Sequence, residues 1–113
     1  MYRVAVATSD GVTVNEHFGK AKFFRVYELD GSGYRYAETR DAVEACQHRR
    51  THSETDFDRV ISLLSDCRAL FVQKIGEGAA AYLISKNVRV FETDEAIEPL
   101  LKKIISDNVI EDR

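Results

Sequence analysis

Long apolar runs, cysteines and prolines are all scarce in this sequence. No apolar run approaches the roughly twenty residues that a membrane-spanning helix requires, so we expect no membrane partner. The first predicted strand begins at Tyr2 or Arg3, which leaves no room for a secretory leader and predicts a cytoplasmic location. The two cysteines, Cys46 and Cys67, could pair in principle, but in a reducing cytoplasm we expect free thiols or metal ligands.

The sequence also lacks an excess of positive charge. Its formal net charge is −3, so a dedicated nucleic-acid binder is not expected. An apolar content of 44% and a charged content of 31% are typical of a soluble globular protein. The 113 residues predict a single domain over 1–113, large enough to bury roughly two-thirds of its unfolded surface. No internal repeat, low-complexity segment or linker interrupts it.

The first half of the chain predicts three strands. A nearly continuous apolar run from Arg3 to Thr8 is typical of a central strand covered on both faces. The segments Phe23 to Asp30 and Tyr34 to Arg40 flank a four-residue turn and predict an antiparallel hairpin. Simple alternation then predicts two faces for the last strand: Tyr34, Tyr36 and Glu38 on one, and Arg35, Ala37 and Thr39 on the other.

Helical and strand patterns alternate in the second half. Apolar residues three and four positions apart between Phe57 and Leu64 predict a helix that Ser53 caps. The single proline, Pro99, is tolerated only in a first helical turn and therefore places the start of the last helix near Ile97. The remaining predicted elements are a strand from Ala69 to Val72, a helix from Ala79 to Lys86 followed by a left-handed Asn87, and a strand from Val88 to Phe91.

This order of elements predicts an α/β fold. The strands at 69–72 and 88–91 are joined by a helix, so we expect them to be parallel with a right-handed crossover. The first strand is expected between this parallel pair and the hairpin. The prediction is a mixed five-stranded sheet with helices on both faces.

The loop from Thr8 to Lys20 is the first candidate functional segment. Asp10 and Gly11 form a turn signal, since Asp bonds its own backbone and Gly accepts a positive φ. His17 follows, with Gly19 just behind it, so its imidazole has room to reach solvent or a ligand. Two interpretations are open: a functional histidine on a loop that the sheet holds in place, or a surface histidine on a hairpin.

The polar segment 41–53 lacks periodicity and carries a second candidate. Cys46, His48 and His52 fall within seven residues and supply the thiolate and imidazole ligands that transition metals prefer. The spacing matches no standard zinc pattern, so a chance occurrence of Cys and His is the alternative. His17 would add a third imidazole if the two loops point the same way.

Two features favour an anionic ligand. Arg49 and Arg50 lie between the candidate ligands, where they favour the thiolate form of a cysteine and attract an anion. The segment Gly76-Glu77-Gly78 opens a helix, whose first backbone N–H groups can bind an anion, and Lys74 precedes it. Close packing of a turn is the alternative explanation for these two glycines.

Other reactive side chains have simpler explanations. Cys67 follows a predicted helix and precedes a buried strand, so it is predicted to be a small core hydrophobe. Asp10, Glu16 and Asp41 would be a two-metal, nuclease-like set only if scattered loops converge. Cys46 with a nearby His could be a nucleophile and its base, but no residue in the sequence is placed to orient that pair.

The order and spacing of several stretches carry a family resemblance. They are Val4–Gly11, Val14–Gly19 followed by Phe23-Phe24, Leu64–Ala69, Ile75–Ala79, and Val90-Phe91-Glu92 before a helix. Together they resemble the dinitrogenase iron–molybdenum cofactor biosynthesis family, to which NifX, the core of NafY and the C-terminal domain of NifB belong. The resemblance spans nearly the whole chain.

That resemblance implies a ribonuclease-H-like fold without ribonuclease activity. It implies a protein that binds an iron–sulfur cofactor precursor, or the finished iron–molybdenum cofactor, and passes it between assembly proteins. The histidine of the family's His-Phe-Gly stretch falls on His17, and the cysteine after the hairpin falls on Cys46. His48 and His52 lie in a variable loop and carry over as auxiliary residues.

We therefore expect a non-catalytic, cytoplasmic carrier of a metal cluster in nitrogenase cofactor assembly, with His17 and Cys46 as metal ligands. Expected partners are other cofactor-assembly proteins or apo-dinitrogenase, and the chain is expected to be a monomer or weak homodimer. The alternatives are a carrier or regulator for another metal cluster, a thiol-dependent enzyme using Cys46, and an interaction domain without metal. The remaining residues of the expected cofactor-binding set are His48, His52, Arg49, Arg50, Gly76 and Gly78.

Overall fold

Five strands of the described structure form one sheet. The computed structural model describes residues 1–42 and 61–107. The strands are β1 (Tyr2–Ala7), β2 (Phe23–Asp30), β3 (Gly33–Asp41), β4 (Ala69–Val72) and β5 (Arg89–Glu92), in the spatial order β3-β2-β1-β4-β5. The pairs β1–β2 and β2–β3 are antiparallel, and the pairs β1–β4 and β4–β5 are parallel. The predicted mixed five-stranded sheet, with β1 between the hairpin and the parallel pair, is confirmed.

Two α-helices have both ends in the described part of the chain, α1 (Glu77–Ser85) and α2 (Ile97–Ser106), and a short 3₁₀ helix spans Phe18–Lys20. The start of α2 is the predicted one, with Pro99 in its first turn. Asn87 has φ 68°, the left-handed conformation predicted after α1. Within the described ranges, no helix combines the length and the apolar character needed to cross a bilayer.

The helix α2 covers one face of the sheet. Its apolar stripe packs on alternate residues of β1, which point to that side of the sheet. These contacts join β1, near the start of the chain, and α2, the last described helix, in one apolar cluster. The members with the least exposure are Val4, Val6, Val14, Leu29, Ala69, Phe71, Ile97, Leu101 and Ile104.

The opposite face is covered by α1 and by the helical residues 61–63. The start of the second of these helices, predicted at Ser53, lies outside the described residues. The buried members of this second cluster include Ala5, Ala7, Phe24, Val26, Ile61, Leu64, Leu70, Val72 and Leu83. Because helices lie against both faces, the predicted α/β arrangement is confirmed.

The strand β3 departs from regular alternation. Consecutive residues of β2 pair with Glu38 and Tyr36, so Ala37 is an extra residue on β3. A bulge of this kind shifts every later side chain to the other face. Thr39 therefore shares a face with Tyr36, and the two hydroxyls form a hydrogen bond of 2.6 Å. The predicted placements of Thr39 opposite Tyr36 and of Glu38 beside Tyr36 were wrong, because alternation in the sequence does not reveal an inserted residue.

Candidate functional site

A single carboxylate organises the turn that follows β1. Asp10 Oδ1 accepts hydrogen bonds from the backbone N–H groups of Val12 (2.8 Å) and Thr13 (3.0 Å) and from the Thr8 hydroxyl (3.1 Å). The backbone N–H of Thr13, followed by that of Val12, lowers the pKa of Asp10 to about 2. Gly11 has φ 73°, a conformation that glycine adopts without strain. The predicted turn is therefore built as a closed hydrogen-bonded unit.

The middle of the same loop is attached to the start of α2. The backbone N–H of Val14 donates to the Glu95 carbonyl at 3.0 Å, and the N–H of Ile97 donates to the Val12 carbonyl at 2.8 Å. The side chain of Val14 is buried in the core. The loop is consequently held at its centre by both backbone pairing and apolar burial.

The end of the loop is attached to the segment after β4. The backbone N–H of Gln73 donates to the Glu16 carbonyl, and the N–H of Phe18 donates to the Lys74 carbonyl, both at 2.9 Å. Phe18 is buried, with its ring centre 6.1 Å from that of Phe24. His17 lies between these two attachments and is exposed, in a bridge with Lys74. The histidine is thus a surface side chain on a backbone that is fixed at both neighbours.

This position is the edge of the sheet at which the parallel strands β1, β4 and β5 end. In open α/β sheets, ligands bind outside the carboxyl ends of parallel strands. The Lys74 side chain is exposed on the same edge, next to the start of α1. Glu92 lies there as well and accepts a hydrogen bond from the Ile75 backbone N–H at 2.9 Å. The edge therefore combines an imidazole, an ammonium and a carboxylate.

The two glycines at the start of α1 have open surroundings. A Cβ placed on Gly76 or on Gly78 meets no described atom within 4 Å. Gly76 has φ −73° and ψ 155°, which any residue adopts. Close packing and backbone conformation in the described structure therefore do not require glycine at position 76. Gly76 and Gly78 are both exposed at the start of α1.

The polar segment after the hairpin lies outside the described residues. It contains the predicted residues Cys46, His48, Arg49, Arg50 and His52. Their position relative to His17 accordingly stays a prediction. Among residues 1–42 and 61–107, no three His, Cys, Asp or Glu side chains are close enough to hold a metal ion. In this part of the chain, His17 is a single candidate ligand.

The other predicted reactive groups have structural roles or stand apart. Cys67 is 3% exposed, and burial raises the pKa of its thiol to about 12, so the predicted core role is confirmed. Asp10 is engaged in its turn, and within the described ranges Glu16 and Asp41 do not join it in a metal site. The nuclease-like set is therefore not formed.

Sequence reasoning missed Arg25, which lies on β2 over the ring of Tyr36. Its signal was present but indirect. Arg25 and Tyr27 are two residues apart on β2 and therefore share a face, and Tyr36 pairs with Tyr27 across the hairpin. The bulge at Ala37 and the contact with the first loop become apparent only when the strands are paired.

A family comparison covers almost the whole chain. The family model described as "Dinitrogenase iron-molybdenum cofactor" matches residues 1–107. A relative from Frankia alni, named FeMo cofactor biosynthesis protein NifB, is 35% identical over 89% of this chain. A relative from Sinorhizobium fredii, named Protein NifX, is 30% identical over 89% of this chain. The match spans 20% of the length of the Frankia protein and 66% of the Sinorhizobium protein.

Solved structures share the fold at low sequence identity. The crystal structure of PH0822 superposes with a TM-score of 0.69 at 19% identity, over 93% of this chain and 90% of that one. The apo form of the orange protein from Desulfovibrio gigas superposes with a TM-score of 0.67 at 18% identity, over 95% of this chain and 89% of that one. At these identities the similarity establishes the fold alone.

Proposed function

The chain belongs to the dinitrogenase iron-molybdenum cofactor family, and from this premise we propose that it binds an iron–sulfur cluster and carries it during nitrogenase cofactor assembly. The cargo is the iron–molybdenum cofactor or a precursor of it. Support comes from the matched family and from relatives named FeMo cofactor biosynthesis protein NifB and Protein NifX. In this proposal the chain is a carrier and not an enzyme, and it acts in the cytoplasm.

The observation that carries the proposal is the placement of His17. Its side chain is exposed. The backbone groups of its neighbours Glu16 and Phe18 are hydrogen-bonded to those of Gln73 and Lys74, respectively. A metal ligand on a fixed backbone needs little reordering when the cluster arrives or leaves. A histidine can replace a cysteine as an iron–sulfur ligand. One accessible imidazole therefore suits a cargo that must later be released.

Further residues complete the proposed binding set. Cys46 would supply the thiolate, with His48 and His52 as auxiliary ligands. An anionic cluster would gain from Arg49 and Arg50 and from the N–H groups at Gly76 and Gly78. Few permanent ligands favour transfer to the next protein, because four thiolates would hold the cluster too firmly.

The architecture and the partners belong to the same proposal. In the strand order β3-β2-β1-β4-β5, only β2 runs opposite to the other four strands, which supports a ribonuclease-H-like label for the fold. We take residues 1–113 as one carrier domain, working as a monomer or weak homodimer. Its partners would be other cofactor-assembly proteins or apo-dinitrogenase, to which the cluster is delivered.

Anaerobic loading tests the proposed ligands. The apo-protein is incubated with the isolated cofactor precursor, passed through a desalting column, and analysed for iron and for visible absorbance. We expect the unmodified chain to retain colour and iron, and His17→Ala and Cys46→Ala each to retain markedly less. Gln73→Ala is the matched control, since Gln73 is exposed on the same edge and carries no metal-binding group. Equal retention by the His17→Ala/Cys46→Ala double variant and the unmodified chain would refute the ligand assignment.

A further inference from the structure

The guanidinium of Arg25 is fixed in place by three neighbours. Its central carbon lies 4.3 Å from the centre of the Tyr36 ring and 5.8 Å from that of the Tyr27 ring. Its Nε donates a hydrogen bond of 3.0 Å to the Tyr27 hydroxyl. On the remaining side it packs against Gly11, where an added Cβ would lie 2.6 Å from Nη1. Stacking and contact with a rigid turn thus immobilise a side chain that is normally mobile.

The charge of Arg25 is not neutralised by a carboxylate of the described residues. Three other arginines of the sheet, Arg3, Arg35 and Arg40, each form an ion pair with Glu28, Glu38 or Asp66. In contrast, neither terminal nitrogen of Arg25 has a hydrogen-bond acceptor among residues 1–42 and 61–107. Within the described residues, the side chain is therefore a preorganised donor with two terminal nitrogens that no carboxylate engages.

Exposed apolar side chains lie near this cation in the chain or on the sheet. Val12 is 61% exposed, Phe23 is 41% exposed and Tyr36 is 48% exposed. Val12 follows Gly11 in the turn that touches Arg25, and Phe23 lies two residues before Arg25, on the same side of β2. Tyrosine and arginine are enriched among the residues that dominate protein–protein binding energy, and aromatic residues in general are enriched in interfaces.

We propose that Val12, Phe23, Arg25 and Tyr36 form a docking surface, the Arg25 surface, for an acidic peptide segment of a partner protein. An Asp or Glu carboxylate of the segment would accept hydrogen bonds from both terminal nitrogens of Arg25. Apolar residues beside that carboxylate would cover Val12, Phe23 and the Tyr36 ring. Charge complementarity identifies the occupant, because no carboxylate of residues 1–42 and 61–107 pairs with Arg25 and an acidic segment would supply one.

A peptide fits this surface better than a nucleic acid does. The flanking side chains of the Arg25 surface are apolar, whereas phosphate backbones are bound by clustered lysines and arginines. The net charge of −3 also opposes a polyanion. The inference does not depend on the proposed cargo, since it uses none of the residues assigned to the cluster.

Titration by nuclear magnetic resonance tests the Arg25 surface on the full ¹⁵N-labelled chain. The probe is the peptide acetyl-Gly-Leu-Asp-Phe-Gly-amide, and the comparison probe has Asn in place of Asp. We expect saturable shifts at the amides of Gly11 and Val12 and at the Nε–H of Arg25. The Asn peptide should bind about tenfold more weakly, since it loses one charge-assisted pair.

Variants separate this recognition from a merely structural role of the arginine. Arg25→Gln should abolish the shifts, and Arg25→Lys, which keeps the charge but not the planar fork, should bind at least about fivefold more weakly. Arg35→Gln is the matched control. Arg35 is an exposed arginine of the same hairpin, and its guanidinium forms an ion pair with Glu28. Arg35→Gln should bind the peptide like the unmodified chain.

Three results would overturn the proposal. One is equal binding of the Asp and Asn peptides. Another is an equal loss of affinity for the Asp peptide in the Arg25→Lys and Arg35→Gln variants, measured on samples whose amide spectra show a folded chain. The third is displacement of the peptide by oligothymidylate at concentrations at which inorganic phosphate has no effect, which would indicate a nucleic-acid surface.

Discussion

At the scale of single residues, Asp10 shows how one carboxylate determines the shape of a loop. It bonds two backbone N–H groups and the hydroxyls of Thr8 and Thr13. The same loop carries Gly11 against the Arg25 surface and His17 at the sheet edge. The charge state of one side chain therefore affects both of the surfaces proposed to bind partners or cargo.

This arrangement predicts a specific pH dependence for the Asp10→Asn variant. The folded-state pKa of Asp10 is about 2, below its usual 3.8, so its contribution is complete above pH 3.8 and is lost as the pH falls through 2. The variant lacks this contribution at every pH. We expect its thermal midpoint to lie below that of the unmodified chain by a constant amount above about pH 5, and the gap to close towards pH 2.

The control for this measurement is Asp94→Asn. In the described structure, the Asp94 side chain has no hydrogen bond or ion pair, and the residue is exposed. The thermal midpoint of the Asp94→Asn variant should therefore equal that of the unmodified chain at each pH. Thermal scans by circular dichroism from pH 2 to pH 7 make the comparison. A gap for Asp10→Asn that stays the same down to pH 2 would contradict the prediction.

At the scale of elements, α2 shows how a helix is positioned by its apolar stripe. Ile97, Leu100, Leu101 and Ile104 are all buried, and they occur three and four residues apart. The spacing was readable in the sequence because helical periodicity is local. The turn after β1 is bonded to the first residue of this helix, so the position of α2 also sets the position of the first loop.

We predict that Leu101→Ala destabilises the chain by about 2–5 kcal/mol, because it removes a fully buried side chain and leaves a cavity. The adjacent Lys102 is exposed, so Lys102→Ala should change the free energy of unfolding by about 0.5 kcal/mol or less. Urea unfolding followed by far-ultraviolet circular dichroism gives both values. Similar effects of the two substitutions would mean that α2 does not pack on the sheet as described.

The scale of elements also shows where sequence reasoning failed. The strands β2 and β4 were predicted with the bounds that the structure has, because continuous apolar or β-branched runs end at turn residues. In β3, the extra residue Ala37 reversed the faces beyond it. A bulge depends on the pairing of two strands, and neither strand shows it in its own sequence.

At the scale of the whole molecule, a single sheet separates two apolar clusters. Every strand that contributes to one cluster also contributes to the other, since alternate side chains point to opposite faces. Loss of one cluster therefore removes the support of the other. The chain is predicted to unfold as one cooperative unit, as we expect of the proposed single domain over 1–113.

Two matched variants test this cooperativity. Leu101 belongs to the first cluster and Leu83 to the second, and both are fully buried. Each change to alanine should lower the unfolding midpoint seen by circular dichroism and by tyrosine fluorescence together, to the same extent for both probes. Midpoints that separate between the probes in either variant would show that the two sides of the sheet unfold independently.

Sequence alone determined the order and type of the described strands and of α1 and α2, the family, and the choice of His17 as a candidate, because local periodicity and motif spacing are properties of neighbouring residues. It also identified the Cys67 thiol as a core group from its place between a helix and a buried strand. Only the tertiary structure decided that His17 lies beside Lys74 and that Arg25 stacks on Tyr36 and Gly11 without a carboxylate partner among the described residues. Those contacts join residues far apart in the chain, so they depend on strand pairing and on the bulge at Ala37, which no local pattern encodes.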